Sequence, residues 1–351
     1  MKKITVFQLA ISFIGVFLGA GFVSGQELWQ FFACFGPMGF PGFLIAVALF
    51  FLVDYALLQL AFGSGHGDVG ALILPGEHPR LCALIDLLQC LLLFGTVVIM
   101  IAGGAALLHD LTGLPVALCG AVFTLLLLPV AMYELQGLVA AFSVLVPVLT
   151  VLAVGLGIAV VFRADFRLAS ATGSVSTLLP NWWVSGVTYA AYNLFCTVGV
   201  LAPFAALVRD RKTIGRGLGL GAALFVVITF GILAALMAQP EAGSEALPTA
   251  ALARQLHPGL GLVYDCFMGL AMFAAALAGL LALLDQAGFH WKQLRARRKV
   301  AMVPVLLAAY VLSLLGFSDL IGVVYPIFGY LSIPLLVLLV RNWRKQRKSA
   351  Q

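Results

Sequence analysis

Apolar residues fill this chain in long runs rather than in alternation. Stretches of roughly 20 residues with few charges follow one another with short polar or glycine-rich breaks between them. A continuous apolar run of that length predicts a helix that crosses a bilayer. Ten such runs are read: residues 5–35, 40–62, 81–108, 114–132, 135–162, 179–208, 214–237, 259–287, 300–315 and 320–340. Between them lie a glycine-rich loop at 63–79, a polar loop at 163–177 and the polar loop 239–258, in which residues 245–256 are expected to form a short surface helix. The expected class is an all-α integral membrane protein of about ten transmembrane helices, forming a single membrane domain over residues 1–351.

The first run is too long for one straight crossing, and its middle reads Gly19-Ala20-Gly21-Phe22-Val23-Ser24-Gly25-Gln26-Glu27. Three glycines weaken a helix at a depth where the bilayer demands one. Lipid would reject the Ser, Gln and Glu that follow. Backbone that leaves the helix inside a membrane must be buried in protein or line a cavity, so this stretch is expected to be half of a binding site. Its unwound carbonyls would suit a cation or a substrate amine. The half-helix after Ser24 would offer free N–H groups to an anion.

Composition supports the pattern: 63% of the 351 residues are hydrophobic and 10% are charged. The net charge of +6 could suggest nucleic acid, but the basic residues sit in the loops, where topology accounts for them. With the N-terminus in the cytoplasm and ten crossings, every one of the 20 Lys and Arg except Arg163, Arg167 and Arg254 falls on the cytoplasmic side. Both termini are expected there, in a multi-pass protein of a bacterial inner (plasma) membrane. Lys2-Lys3 before the first run resembles a secretory leader, but such a leader does not run on into Gln26-Glu27-Leu28-Trp29 and a second span. The six cysteines carry no CxxC spacing and are read as small buried hydrophobes. The five histidines stand at span ends or in loops, so no metal site is expected. No GxxxxGK[ST] sequence occurs, and neither a nucleotide cofactor nor an ATPase partner is indicated.

Five runs precede the central loop and five follow it, so the second half starts on the opposite side of the membrane from the first. That is the condition for an inverted repeat, about 1–165 and 178–341, with the sixth span interrupted like the first. Its middle holds Tyr189, Tyr192, Asn193, Thr197, Gly199 and Pro203. Tyr189, Tyr192 and Asn193 fall on one helical face. Packing is the plainer reading of an aromatic in a bilayer, and of the small-xxx-small run Gly217-Leu218-Gly219-Leu220-Gly221 in the seventh span. An acid within a span is costly and marks an ion or proton pathway, which makes Glu27 and Asp54 the proton-coupling candidates. The site is therefore expected from Gly19, Ala20, Gly21, Phe22, Ser24, Gln26 and Glu27 in the first span and Tyr189, Tyr192, Asn193 and Thr197 in the sixth. Asp285 is expected to pair with the basic loop after the eighth span.

The Gly19–Glu27 run, with Tyr192-Asn193 and Val200-Leu201-Ala202-Pro203, resembles the YkvI-like family of bacterial membrane proteins. That family is similar to the amino acid–polyamine–organocation transporters and their LeuT-type relatives. The resemblance implies a five-plus-five inverted repeat, discontinuous first and sixth helices, and alternating access. It does not imply a substrate. In the sodium-coupled relatives a hydroxyl pair on the eighth helix completes an ion site, yet Leu270-Ala271-Met272-Phe273-Ala274-Ala275-Ala276-Leu277-Ala278 contains no Ser or Thr. The expected function is a secondary transporter of a small solute (amino acid, amine or related organic cation), proton-coupled or exchanging rather than sodium-coupled. Its partners would be the small-molecule substrate, H+ and membrane lipid, with no nucleic acid. A passive channel and a non-transporting sensor are the alternatives. Ser, His and Asp converge on no span, which argues against an enzyme.

Overall fold

The computed structural model describes residues 4–17, 20–64, 79–132, 138–162, 167–168, 173–201, 205, 207–243, 245–290 and 298–349, with side chains except at 16, 20, 63–64, 79, 138–146, 197–200, 288–290 and 349. The first half contains α1 (Val6–Phe17), α2 (Ala20–Val23), α3 (Gln26–Phe31), a 3-10 segment Ala33–Met38, α4 (Gly39–Ser64), α5 (Pro79–Thr112), α6 (Val116–Met132) and α7 (Leu138–Val161). The second contains α8 (Trp182–Leu201), α9 (Arg211–Ala238), α10 (Pro240–Gly243), α11 (Pro248–Leu256), α12 (Pro258–His290), α13 (Arg298–Ser313) and α14 (Phe317–Ser349). Among the described residues each of the ten apolar runs contains helix. By length and composition α4, α5, α9, α12 and α14 are each able to cross a bilayer, and α1, α6 and α7 contain shorter apolar helices. The outward faces carry apolar side chains, among them Leu125, Val151, Val227, Leu307 and Val337. So broad an apolar exterior needs lipid against it, and the chain is a multi-pass membrane protein.

At the centre, α8 packs against α4 and α14, with α1 and α3 also touching it, while α1 lies along α9 and α5 along α12. The glycines of the seventh span make the α1–α9 approach possible. A Cβ at Gly217 would press on Leu9, and one at Gly221 on Phe13 and the Ala10 carbonyl. Packing is thus their role, as expected. The start of α9 is fixed by Asp210, whose Oδ1 accepts from the Thr213 amide at 2.7 Å. That bond holds the exposed Asp210 carboxyl below its usual range.

Contacts between loops sort the elements by end. At one end Arg254 of α11 reaches Asp110 at the close of α5 and Asp265 in α12, each at 3.1 Å. Partial burial works against the charge on Arg254, but Asp265 and Asp110 outweigh it and push its pKa up. At the other end the Ile4 amide donates to the Leu207 carbonyl at 2.9 Å, Tyr55 meets Trp343 edge-on, and Arg211 lies over Phe62. Asp285 pairs with Arg298 at 3.1 Å, as expected.

Two details differ from the sequence reading. The short helix anticipated at 245–256 is α11, and it is no surface helix: Pro248, Thr249, Ala250, Leu252 and Ala253 are buried. Its apolar face and its first residues fold back onto the bundle. The sixth span is α-helical without a break from Trp182 through Leu201, so Asn193 and Thr197 lie inside a helix. Its departure from α geometry comes after Leu201, at Ala205, Leu207 and Val208. Pro203, which itself lies outside the described residues, accounts for the position: proline has no N–H to donate and disfavours the α region for the residue before it.

Candidate functional site

The first span is interrupted at Gly25; Leu18 and Gly19, which stand between α1 and α2, lie outside the described residues. Between α2 and α3 the chain turns at Gly25, whose φ of 80° is left-handed. A Cβ there would also approach the Thr249 methyl to 2.7 Å, so the position excludes larger residues on two grounds.

This turn is closed by the protein's own donors. Ser24 Oγ donates to the Gly21 carbonyl at 2.7 Å, and the Gly25 amide to the Phe22 carbonyl at 3.1 Å. Thr249 Oγ1 and Tyr264 OH both donate to the Val23 carbonyl, at 2.6 and 2.7 Å, and the Thr249 amide donates to the Ser24 carbonyl at 3.1 Å. The expectation of open carbonyls is therefore corrected for residues 21 to 24. Buried backbone acceptors need partners, and α11 and α12 provide them. Ser24 is likewise committed to local backbone, since its Oγ also accepts from the Gln26 amide at 3.3 Å. Gln26 and Gln30 share a face, as expected, but turn it toward the start of α14. Gln26 Nε2 donates to the Ser318 hydroxyl, and Gln30 Nε2 to the Ser318 carbonyl at 2.7 Å.

Glu27 stands in the first turn of α3, where the helix dipole favours an acid. Its side chain is buried and folds back over the preceding turn, so that a Cβ on Gly21 would run into its Oε1. Gly21 thus makes room for the carboxylate. Glu27 Oε2 accepts from Tyr192 OH at 2.6 Å. The Tyr192 ring stacks on Tyr325 of α14, with centroids 4.4 Å apart and planes at 12°. Tyr189 meets Tyr192 edge-on at 5.5 Å and Phe31 at 5.2 Å. One turn beyond Tyr192, Cys196 is exposed. Residues 189, 192, 193 and 196 share one face of α8; Tyr189, Tyr192 and Asn193 are buried and Cys196 is exposed.

The structure thus brings together Gly21, Glu27, Tyr189 and Tyr192. Phe22 packs instead on Phe225 of α9, at 5.5 Å. Asn193 Nδ2 uses one N–H on its own helix, donating to the Tyr189 carbonyl at 3.0 Å. Gly19, and the side chains of Ala20 and Thr197, lie outside the described residues. Asp54 is fully buried in α4, and among the described residues neither carboxyl oxygen has a hydrogen-bond partner. An uncompensated buried carboxylate costs several kcal/mol, so Asp54 calls for a proton or a counter-cation. Among the described residues no three His, Cys, Asp or Glu side chains assemble into a metal site.

Sequence reasoning missed Tyr325, Thr249 and Tyr264. Tyr325 had one local signal: Tyr325-Pro326 in the middle of the tenth span, after Gly322. Thr249 and Tyr264 had none, because their partners are carbonyls far away along the chain.

The helical bundle with its interrupted first helix has the LeuT fold, which solved transporters share. Over 96% of its length the chain superposes on 89% of MhsT, solved in complex with L-phenylalanine, with a TM-score of 0.62 and 16% identity. It covers 78% of a single-residue mutant of the manganese transporter of Eremococcus coleocola, using 95% of its own length, with a TM-score of 0.59 and 15% identity. Mhp1, a nucleobase-cation-symport-1 family transporter in a closed conformation, matches 96% of the chain over 75% of its own, with a TM-score of 0.50 and 17% identity. At these identities the likeness is one of fold. By sequence the chain is similar to two Bacillus subtilis (strain 168) proteins: the uncharacterized membrane protein YkvI (24% identical, 97% of each chain) and the uncharacterized protein YyaD (26%, 93% of this chain and 94% of that one). No family model matches the chain.

Proposed function

We propose that the protein is a secondary transporter of a small solute bearing a positively charged nitrogen: an amino acid, an amine or a related organic cation. The observation that carries this reading is the Glu27 carboxylate, held against Gly21 at the end of a broken helix and faced by stacked tyrosines. Among the described residues no Lys or Arg neutralises it. An ammonium entering beside Tyr192 would meet the Glu27 carboxylate in a wall of tyrosine side chains, and a charge-assisted hydrogen bond to the carboxylate would hold it. The superposition on MhsT, on a manganese transporter and on Mhp1 supports a transporter, and MhsT, solved with L-phenylalanine, fits the amino-acid member of that class.

In this reading the first and second halves form the inverted repeat, and substrate reaches Glu27 from alternate sides. The end carrying the Arg254 pairs and the Gln26 and Gln30 bonds to Ser318 is the closed, outer end. The space beside Cys196 opens toward the cytoplasm, where both termini lie, in a bacterial inner membrane. Proton coupling or exchange is favoured over sodium because residues 270–278 offer no hydroxyl to complete a sodium site. Glu27 and Asp54 are the groups that would carry the proton. Membrane lipid is the other partner. The test is uptake and counterflow of labelled amino acids and amines in proteoliposomes, with imposed proton or sodium gradients. Saturable uptake of an amine-bearing solute, driven by a proton gradient or by counter-solute and indifferent to sodium, is expected. Ohmic conductance instead of saturable uptake, or no movement of any such solute by correctly folded protein, overturns the reading.

A further inference from the structure

A second cavity, of about 450 Å³, lies between α4, α8 and α14, and its chemistry differs from that of the Glu27 site. Its walls are aliphatic, with Val53 on α4, Ala190, Ala191 and Leu194 on α8, and Leu336 on α14. Ala190 and Ala191 matter most: with only a methyl each, they leave α8 hollow on the side away from Tyr189 and Tyr192. At the mouth the wall changes character abruptly, to Arg341 and Arg344. These two are one turn apart on α14, both exposed, and neither has an acidic partner among the described residues. Nearby Arg347 is different, because it lies over the Trp343 ring at 5.8 Å, and Trp343 is itself packed on Tyr55.

We propose that this groove binds an anionic phospholipid, one acyl chain lying in the aliphatic slot and the phosphate on Arg341 and Arg344. The groove belongs to a bundle that lipid surrounds, so acyl chains are its natural solvent. A chain with a free anionic end is the ligand whose polarity changes where the groove's does. Two guanidiniums one helical turn apart suit a phosphodiester, which accepts from several N–H donors at once. A zwitterionic headgroup would add a positive charge beside them. The volume lies within the range of about 300–1,000 Å³ typical of small-molecule sites, room for one chain rather than a whole lipid. A chain seated there braces α8 from behind, against the face that carries the Glu27 partner. The inference deepens the proposed partnership with membrane lipid and does not depend on transport; the leaflet, cytoplasmic, follows from the topology proposed above.

The test uses full-length protein in detergent and follows thermal unfolding as phosphatidylglycerol, or phosphatidylcholine with the same acyl chains, is added. Phosphatidylglycerol is expected to raise the midpoint by about 5 °C or more, and phosphatidylcholine to have a much smaller effect. The R341Q/R344Q variant should lose the phosphatidylglycerol increment while its lipid-free midpoint stays at the wild-type value. R347Q should keep the increment. Ala191→Trp, which fills the slot and leaves both arginines, should lose it too, and decides the matter if R341Q/R344Q does not fold. Equal stabilisation by the two lipids, an increment that survives R341Q/R344Q or Ala191→Trp, or a full increment from glycerol 3-phosphate alone overturns the proposal. So does a phosphatidylglycerol-independent dimer that Ala191→Trp dissociates, because the groove is then an interface between copies of this chain. Failure here leaves the proteoliposome assay untouched, so the two readings fall separately.

Discussion

The first and sixth spans hold equivalent places in the two halves, yet they meet the site in different ways. Among the described residues the first is broken between α2 and α3, at the left-handed Gly25. The sixth runs unbroken past Tyr189, Tyr192, Asn193 and Cys196 and stops only after Leu201. Paired breaks would have presented backbone dipoles from both sides, but here the opposing groups are a carboxylate and a row of side chains. The carbonyls at the Gly25 turn of the first span are already taken, by Ser24, Thr249 and Tyr264. A helix break can thus serve to place an acid rather than to expose its own carbonyls. What Gly21 and Gly25 achieve is the position of Glu27 against an intact α8.

The comparison can be broken at several points. The largest effect should come from Glu27→Gln, which keeps the shape and removes the charge. Binding of the transported cation should weaken by about 10- to 100-fold, the worth of a charged hydrogen bond, and uptake should lose its response to pH. Equilibrium binding to purified protein, with uptake at several pH values, measures both. Gly21→Ala should come next, with a loss of about 10-fold. Its Cβ displaces the carboxylate, but the displaced atoms are the free end of a flexible side chain, so the unfolding midpoint should change little. Tyr192→Phe removes the hydroxyl on Glu27 and retains the stack on Tyr325, and should weaken binding by several-fold, about 1 kcal/mol.

Two further variants sharpen the contrast between the breaks. Thr249→Val removes one of two donors to the Val23 carbonyl, so it should cost about 1 kcal/mol of stability in thermal unfolding and leave binding nearly intact. Asn193→Ala should have the smallest effect on binding, because that amide already donates to its own helix. A large loss of binding there would mean that α8 opens at Asn193 during transport, and would restore the symmetry between the two spans.

The fold was legible because a bilayer sets the length of an apolar run, and ten runs of that length left little freedom. Glu27 was legible for a related reason: an acid inside such a run has no inexpensive explanation. Tyr189 and Tyr192 followed from their helical spacing. The break in the sixth span was read into the stretch from Asn193 to Pro203; Asn193 and Thr197, polar residues in lipid, looked like weak points, but the helix runs through both to Leu201. Asn193 instead donates one turn back along the helix. The closure of the Gly25 turn was invisible for a different reason. Thr249 and Tyr264 sit in segments with ordinary local patterns, and only the folded chain brings them to Val23. Tyr325 looked like any aromatic in a span until α14 laid it against Tyr192.

The central claim is that the solute binds beside Glu27, against the face of α8 that carries Tyr192. Cys196 provides the most direct probe, because it is exposed and stands on that face one turn beyond Tyr192. Its alkylation by a small water-soluble maleimide should slow as the transported cation saturates the protein. Glu27→Gln should remove that protection at the same solute concentration, with a Cys196→Ser variant giving the background labelling. Alkylation of Cys196 that ignores a saturating transported solute in the wild-type protein, or protection that persists undiminished in Glu27→Gln, would contradict the account.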